Sequence, residues 1–369
     1  MGRWILISVL VAVIAAGGSG IGVGWSIANV IRHQPAVQSP IAIASPTTGP
    51  INGSAGANAI AAKVDPAIVD INTVVGSSQA AGTGMILTSG GEVLTNNHVV
   101  NGSSSIRVAI AAHSGTYTAH VIGVAPHADV ALIQIEGVSN LPTITITSSS
   151  TLKIGDSIVA LGNALGLGGT PTVSTGSVIA LNQSITASEG SGKSEQLAGM
   201  IQSDAPISPG DSGGPIVNSA GQVVGMITAG DVQGFRSQTS TVNYAIPSDT
   251  LLSYANKINA GVASSDIIYG QVGLMGVSVQ DLSADITAQL GFNVSSGAYV
   301  RDVSPGSPAE SGGITPGSVI TSVGGTKVTS SATLGTAIQA HKPGEQISVT
   351  WVDQHGTHTA TVTLAGVNP

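Results

Sequence analysis

The sequence predicts a mainly β protein of two folded domains, and three observations carry that expectation. The chain is rich in Gly, Ala, Ser, Thr and Val, holds two Phe, and is 8% charged, a composition that favours strands and turns over helical bundles. About twelve short strand-type runs with Gly, Ser and Asn turns between them fall in under 200 residues, the spacing of an all-β barrel architecture. At 369 residues the chain is also long enough for two domains and a tail.

The elements follow in order. From Trp4 to Ile31 there is no charged residue, a stretch of 28. As a helix at about 1.5 Å per residue it would reach roughly 42 Å, more than the ~30 Å hydrocarbon core of a bilayer. Arg3 precedes it, a weak positive-inside signal. Gly17, Gly18, Gly20, Gly22 and Gly24 lower the helix propensity of its second half and form Gly-x-x-x-Gly faces at Gly18/Gly22 and Gly20/Gly24. Two readings of residues 1–32 stand: a retained single-pass transmembrane anchor, or a cleaved signal peptide with Leu6 to Ala16 as its apolar core. Both place the rest of the chain outside the cytoplasm, either held at the cell membrane or secreted. Residues 33–57, punctuated by Pro35, Pro40, Pro46 and Pro50, read as a flexible spacer. A short helical turn is expected from Asn58 to Val64, broken by Asp65-Pro66.

Strand-like runs then recur at 68–75, 84–88, 93–96, 106–111, 116–124, 130–135, 157–162, 172–180, 200–203, 215–217, 223–227 and 241–245. Residues 188–196 read as a polar loop. Pro247 opens a helix, since Pro suits the first turn; Leu251, Leu252, Tyr254, Ala255 and Ile258 form its apolar stripe and Gly261 ends it.

Charge and cysteine count exclude several classes. The net charge is −8 with no run of basic residues, which argues against nucleic-acid binding. With no Cys there is neither a disulfide nor a thiolate metal site. A sheltered metal site from His120, His127 and Asp129 is a weak alternative, because the two histidines are seven apart on different elements. No cofactor is expected.

The chemistry-bearing segment is Ser208-Pro209-Gly210-Asp211-Ser212-Gly213-Gly214-Pro215. It sets the Ser212 hydroxyl on a tight turn between glycines, which accept the positive φ such a turn needs. An acyl-transfer site requires a nucleophile and nearby N–H donors for the oxyanion. A serine also needs a base, commonly a histidine held by an acid. His98 lies at the end of the apolar run Val93-Leu94-Thr95-Asn96-Asn97, and Asp129 at the start of Val130-Ala131-Leu132-Ile133. The order His, Asp, Ser is one in which this chemistry occurs.

Together with Gly82-Thr83-Gly84-Met85-Ile86-Leu87, Thr95-Asn96-Asn97-His98-Val99-Val100, Ala128-Asp129-Val130-Ala131-Leu132, Ile201-Gln202-Ser203-Asp204-Ala205-Pro206-Ile207 and Tyr244-Ala245-Ile246-Pro247-Ser248, these segments resemble the HtrA/Deg-type trypsin-like serine proteases with a C-terminal PDZ domain. The resemblance implies a chymotrypsin-like double β-barrel over residues 58–262, two six-stranded barrels with the site between them. It implies that His98 is the general base, Asp129 its orienting acid and Ser212 the nucleophile, with the N–H groups of Gly210 and Ser212 as oxyanion hole. Asp211 departs from the Asn that many members carry; it is expected to tie the turn down by hydrogen bonds. The resemblance also implies pocket walls from Pro206, Ile207, Ile227 and Thr228. Residues 205–207 and 224–229 contain no acidic side chain, so cleavage after small or medium apolar residues is expected. Such residues are buried in folded proteins, which makes unfolded polypeptides the expected substrates.

Residues 271–367 resemble the family's PDZ domain, through Gly273-Leu274-Met275-Gly276-Val277, Gly297-Ala298-Tyr299-Val300, Val303-Ser304-Pro305-Gly306-Ser307-Pro308-Ala309, Gly313-Ile314-Thr315-Pro316-Gly317-Ser318-Val319-Ile320 and Lys342-Pro343-Gly344. The resemblance implies that Leu274, Met275, Gly276 and Val277 receive the terminal carboxylate of a C-terminal peptide, that the peptide pairs with the strand through Val279, and that Ile286 and Leu290 line its slot. It further implies homo-trimers. The expected activity is an envelope serine endopeptidase for misfolded proteins; the competing reading is a non-proteolytic envelope chaperone or PDZ scaffold.

Overall fold

The computed structural model describes residues 41–369 apart from 42, 48, 112, 164–168, 190–192, 231–241 and 263. The expected anchor or signal segment, residues 1–32, lies outside the described residues. Among the described residues no helix is long and apolar enough to cross a membrane.

Six strands close into a first barrel: β1 (Ile68–Val75), β2 (Ser78–Ile86), β3 (Glu92–Thr95), β4 (Ser105–Ile110), β5 (Thr116–Ala125) and β6 (Val130–Ile135). Their order is β5-β4-β1-β2-β3-β6, and β6 pairs back to β5. Six more close a second: β7 (Ser157–Gly162), β8 (Thr172–Glu189), β9 (Lys193–Ser203), β10 (Pro215–Val217), β11 (Val223–Gly230) and β12 (Asn243–Pro247), ordered β11-β10-β7-β8-β9-β12 with β12 returning to β11. The two six-stranded rings are as expected. The strands β8 and β9 run on into one long hairpin, paired as far as Glu189 and Lys193, where a polar loop over 188–196 was expected.

Alternation along these strands separates three cores. On β7, Ile158 and Ala160 point into the second barrel, while Val159 and Leu161 point to a core shared by both barrels. On β6, Ala131, Ile133 and Ile135 fill the first barrel, and Val130 and Leu132 face the shared core. A strand buried on both faces reads as a continuous apolar run, which is why β6 is Val-Ala-Leu-Ile-Gln-Ile. The shared core fixes the barrels against each other, and the loops at its edge form the candidate site.

Helix α1 (Gly53–Val64) closes the second barrel's side of that core. Its buried residues, Ala57, Ile60, Ala61 and Val64, stand at i, i+3, i+4 and i+7, one helical stripe. This moves the expected helix start from Asn58 to Gly53, into the expected spacer, of which residues 33–40 lie outside the described residues. Ahead of α1, Ile43–Ala44 pairs in parallel with Ile146–Thr147. The Gln222 amide accepts from Thr47 N–H at 3.1 Å and donates to Ser45 O at 2.9 Å. Composition hid this: small residues look like a linker, yet they let a helix and a strap lie close to a barrel. One turn, α2 (Asn97–Val100), carries His98. The helix α3 (Ser248–Asn259) starts after Pro247, ends before Gly261, and buries Leu251, Leu252, Ala255 and Ile258 in the shared core.

The second domain follows a two-residue strand, Ile268–Tyr269, that pairs with β5. Its main sheet is β14 (Val277–Asp281), β15 (Ala298–Val303), β16 (Val319–Val323), β17 (Gln346–Asp353) and β18 (Gly356–Thr363), in that order. A separate pair joins β13 (Val272–Leu274) to β19 (Ala365–Val367). Its helices are α4 (Ala284–Gln289), α5 (Pro308–Ser311) and α6 (Ser331–Gln339), the last opened by a capping box between Ser330 and Thr333.

If α1 belongs to the folded unit, Ile60→Ala should lower stability by about 2–4 kcal/mol, the usual cost of emptying a packed aliphatic site. Denaturant unfolding of the purified chain measures it; a loss under about 0.5 kcal/mol would return the segment to a loose spacer.

Candidate active site

The pair His98–Asp129 is built by local backbone. Pro126–Ala128 form a single 3-10 turn that leaves Asp129 at φ 51°, ψ 44°, the left-handed region that Asp enters more readily than most residues. The Asn96 amide donates to Asp129 O at 3.0 Å. The carboxylate then faces α2. It accepts His98 N–H at 3.0 Å on Oδ1, and His98 Nδ1 lies 2.9 Å from Oδ2 and 3.1 Å from Oδ1. The Thr228 hydroxyl donates to Oδ2 as well. A carboxylate beside Nδ1 favours the tautomer that carries its proton on that nitrogen, so Nε2 is then the ring's acceptor nitrogen. Asp129 is 3% exposed, so its charge depends on these donors.

Ser212 stands on two consecutive turns. Asp211 N–H donates to Ser208 O at 3.1 Å and Gly214 N–H to Asp211 O at 2.9 Å. The third residue of each turn is a glycine at positive φ, Gly210 at 99° and Gly213 at 88°, as a type II turn demands. Cβ atoms on Gly213 and Gly214 would overlap Thr83 O and Leu161 O, so only glycine fits there. Neither Gly210 N–H nor Ser212 N–H has a hydrogen-bond partner among the described residues. An unclaimed N–H on a serine and another two residues before it are donors of the kind an oxyanion requires. The Ser212 hydroxyl donates to Thr228 O at 3.4 Å, long for an O–H···O bond, so it is lightly held. Ser212, Asp129 and, through Asp129, His98 thus gather around Thr228.

Thr83 on β2 pins the nucleophile turn to the first barrel. Its N–H donates to Ser212 O at 2.8 Å and its hydroxyl to Gly210 O at 2.7 Å. The same hydroxyl accepts Asn163 N–H at 2.8 Å, and Thr95 Oγ1 donates to Thr83 O at 2.7 Å. The flanking glycines serve α2 and the barrel: a Cβ on Gly82 would lie 2.7 Å from both Val99 methyls, and one on Gly84 would lie 2.6 Å from Val93. The motif Gly-Thr-Gly was legible as a string, but its hydroxyl's partner 127 residues away was not.

Asp211 ties the turn down as expected. Its Oδ2 accepts Ser208 N–H at 2.7 Å and its Oδ1 accepts the Thr172 hydroxyl at 3.2 Å. Burial pushes its carboxyl above the ordinary 3.8, opposed by the Ser208 N–H and the Thr172 hydroxyl.

Residues 82–226 match the trypsin-like peptidase domain family and residues 273–364 the PDZ domain family. "Serine protease PepD" of Mycobacterium tuberculosis is 31% identical over 97% of this chain and 76% of its own. The chain belongs to the HtrA-type serine proteases with a PDZ domain. "Probable periplasmic serine protease do/HhoA-like" of Haemophilus influenzae is 34% identical over 77% of this chain, and "Periplasmic pH-dependent serine endoprotease DegQ" of Escherichia coli 36% over 73%. The chain spans 58% and 56% of the length of those two relatives.

Other expected site residues of this HtrA-type chain are placed differently. Ile207 and Ile227 are buried in the core of the second barrel, and the Thr228 side chain turns to Asp129. Pro206 is exposed and lines an open cavity of about 610 Å³ with Ile51, Gly53, Ser54 and Asp204. No member of the His98, Asp129, Ser212 set lines it. The weak metal alternative does not assemble: His120 pairs with Glu136 at 3.1 Å while Asp129 holds His98.

In the PDZ domain, Met275 is buried in the core, whereas Leu274 is 40% exposed. Gly276 has φ 79° and no room for a Cβ beside Ser307. Val277 and Val279 lie on β14, an edge strand bonded only to β15 among the described residues. The helix packed against β13 and β14 is α6, which buries Leu334 and Ala337. Leu290, at the end of α4, and Ile286 are half-buried outside the domain core. The helix beside β14 is thus α6, a later one in the chain than α4.

Two outcomes test this geometry. Thr83→Val keeps shape and removes the hydroxyl that serves Gly210 O and Asn163 N–H; stability should fall by about 1–3 kcal/mol, read by denaturant unfolding, with Thr83→Ser losing less. Asp211 is disfavoured as an anion, so its contribution to stability is full below pH 3.8 and fades as pH rises through its raised value. The melting temperature of Asp211→Asn relative to the parent should therefore climb between about pH 3.5 and pH 7. A difference that is flat across that range would contradict the assignment.

Proposed function

We propose that this chain is a serine endopeptidase of the cell envelope that hydrolyses unfolded polypeptides. The observation that carries the reading is the buried Asp129 carboxylate on His98 Nδ1, beside a turn on which the N–H groups of Gly210 and of Ser212 itself are unclaimed among the described residues. Ser212 Oγ attacks the scissile carbonyl carbon as its proton passes to His98 Nε2. The resulting oxyanion takes the N–H groups of Gly210 and Ser212. His98 then hands the proton to the leaving amine, and water, deprotonated by the same nitrogen, frees the acyl group from Ser212. Asp129 holds the ring and offsets the imidazolium charge; Thr228 holds Asp129.

The envelope location is supported by relatives named as periplasmic proteases and by the uncharged segment 4–31, which we read as an anchor or export signal. The preference for small or medium apolar residues rests on the lack of acidic side chains at 205–207 and 224–229. The open edge of β14, beside the Leu274–Gly276 loop and α6, suits addition of an extended C-terminal peptide as one more strand.

The purified chain should digest casein, and a fluorophosphonate should label Ser212. Ser212→Ala should abolish labelling and cut turnover by about 10⁴-fold or more with unchanged unfolding. Casein turnover by Ser212→Ala at the parent rate would refute the reading.

A further inference from the structure

The helix that carries His98 is one turn long. So short a helix has almost no stability of its own, and its Ncap has no side-chain bond. Its orientation therefore depends on the packing of Val99 and Val100 in the first barrel's core and on bonds from outside. His98 N–H reaches Asp129. Val99 O accepts the Thr73 hydroxyl at 3.3 Å. Val100 O accepts the Ser103 hydroxyl at 2.6 Å and Ser103 N–H at 3.1 Å.

That last anchor is itself held by the far end of the second domain. Gly102 N–H donates to Asn368 O at 2.9 Å, and Asn368 N–H donates to Ser103 O at 3.0 Å. Asn368 Nδ2 donates to Ser103 Oγ at 2.9 Å. Ser103 is fully buried and Asn368 is 4% exposed, so these bonds do not compete with water. Asn368 follows β19 directly, and β19 is paired with β13, which runs into the Leu274–Gly276 loop (Val272↔Val367, Leu274↔Ala365).

A hydroxyl has a single proton to give. Asn368 donates into Ser103 Oγ, so the Ser103 proton stays on Val100 O. We propose that Asn368 is a positioning residue for His98, acting through Ser103 and α2, and that strand β19 of the PDZ domain thereby helps set the imidazole. The inference rests on the protease reading.

The full chain tests it, with fluorophosphonate labelling of Ser212 and casein turnover measured well below the melting temperature. Asn368→Ala removes one donor and should slow labelling about 3–10-fold, with kcat falling and KM within about twofold. Asn368→Asp nearly preserves shape but can only accept; it draws the Ser103 proton away from Val100 O and should slow labelling further, by about 10–100-fold. Ser103→Ala should match or exceed Asn368→Ala, and the Asn368→Ala/Ser103→Ala double variant should be no slower than Ser103→Ala alone. Labelling of Asn368→Ala and Ser103→Ala within twofold of the parent, additive losses in the double variant, or losses that merely follow the unfolded fraction would each overturn the proposal. Should Asn368→Asp fail to fold, the Ala variants decide. An inert parent would count against the protease reading instead; an active parent with unaltered variants counts against this inference alone.

Discussion

The arrangement depends on one buried negative charge. Asp129 sits at the seam of two barrels, where an unpaired carboxylate would cost several kcal/mol. Three donors make it tenable: the backbone and ring of His98 from the first barrel, and the hydroxyl of Thr228 from the second. Because the donors come from both barrels, the charge is tolerated only when the barrels are docked. The shared apolar core of Leu94, Leu132, Leu161, Met226 and Leu251 does that docking. Packing and chemistry are thus coupled: what holds the halves together also brings the donors to the acid.

Rigidity is distributed unevenly around this charge. The nucleophile turn is over-determined, with glycines that admit no substitute, Thr83 on one side and Asp211 on the other. His98, by contrast, rides on a single helical turn fastened at its ends. A site of this kind keeps its serine and its N–H donors fixed, while the imidazole is the part whose setting responds to neighbours.

Much of this was legible in the sequence. Tight turns announce themselves locally, so Gly210, Ser212, Gly213 and Gly214 were readable from the string alone. An all-β barrel architecture followed from short apolar runs and the turns between them, and its division into two six-stranded barrels from the family resemblance. What escaped was the contact made at long range. That the Thr228 hydroxyl would serve Asp129, 99 residues away, had no local sign. The α1 helix was shortened because Gly53, Ser54 and Gly56 look like spacer. The helix beside β14 was taken to be α4, next in the chain, when the fold brings α6 there. Nothing local marks Thr83 or Asn368, whose partners lie 127 and 265 residues away.

The left-handed backbone at Asp129 also narrows which acids evolution could use at that place. Glutamate would pay nothing in charge yet reach too far, and it enters that conformation less willingly than aspartate. Valine or isoleucine would strain the main chain outright. Only asparagine matches both shape and backbone, and its NH2 would then face a donor where the carboxylate now accepts.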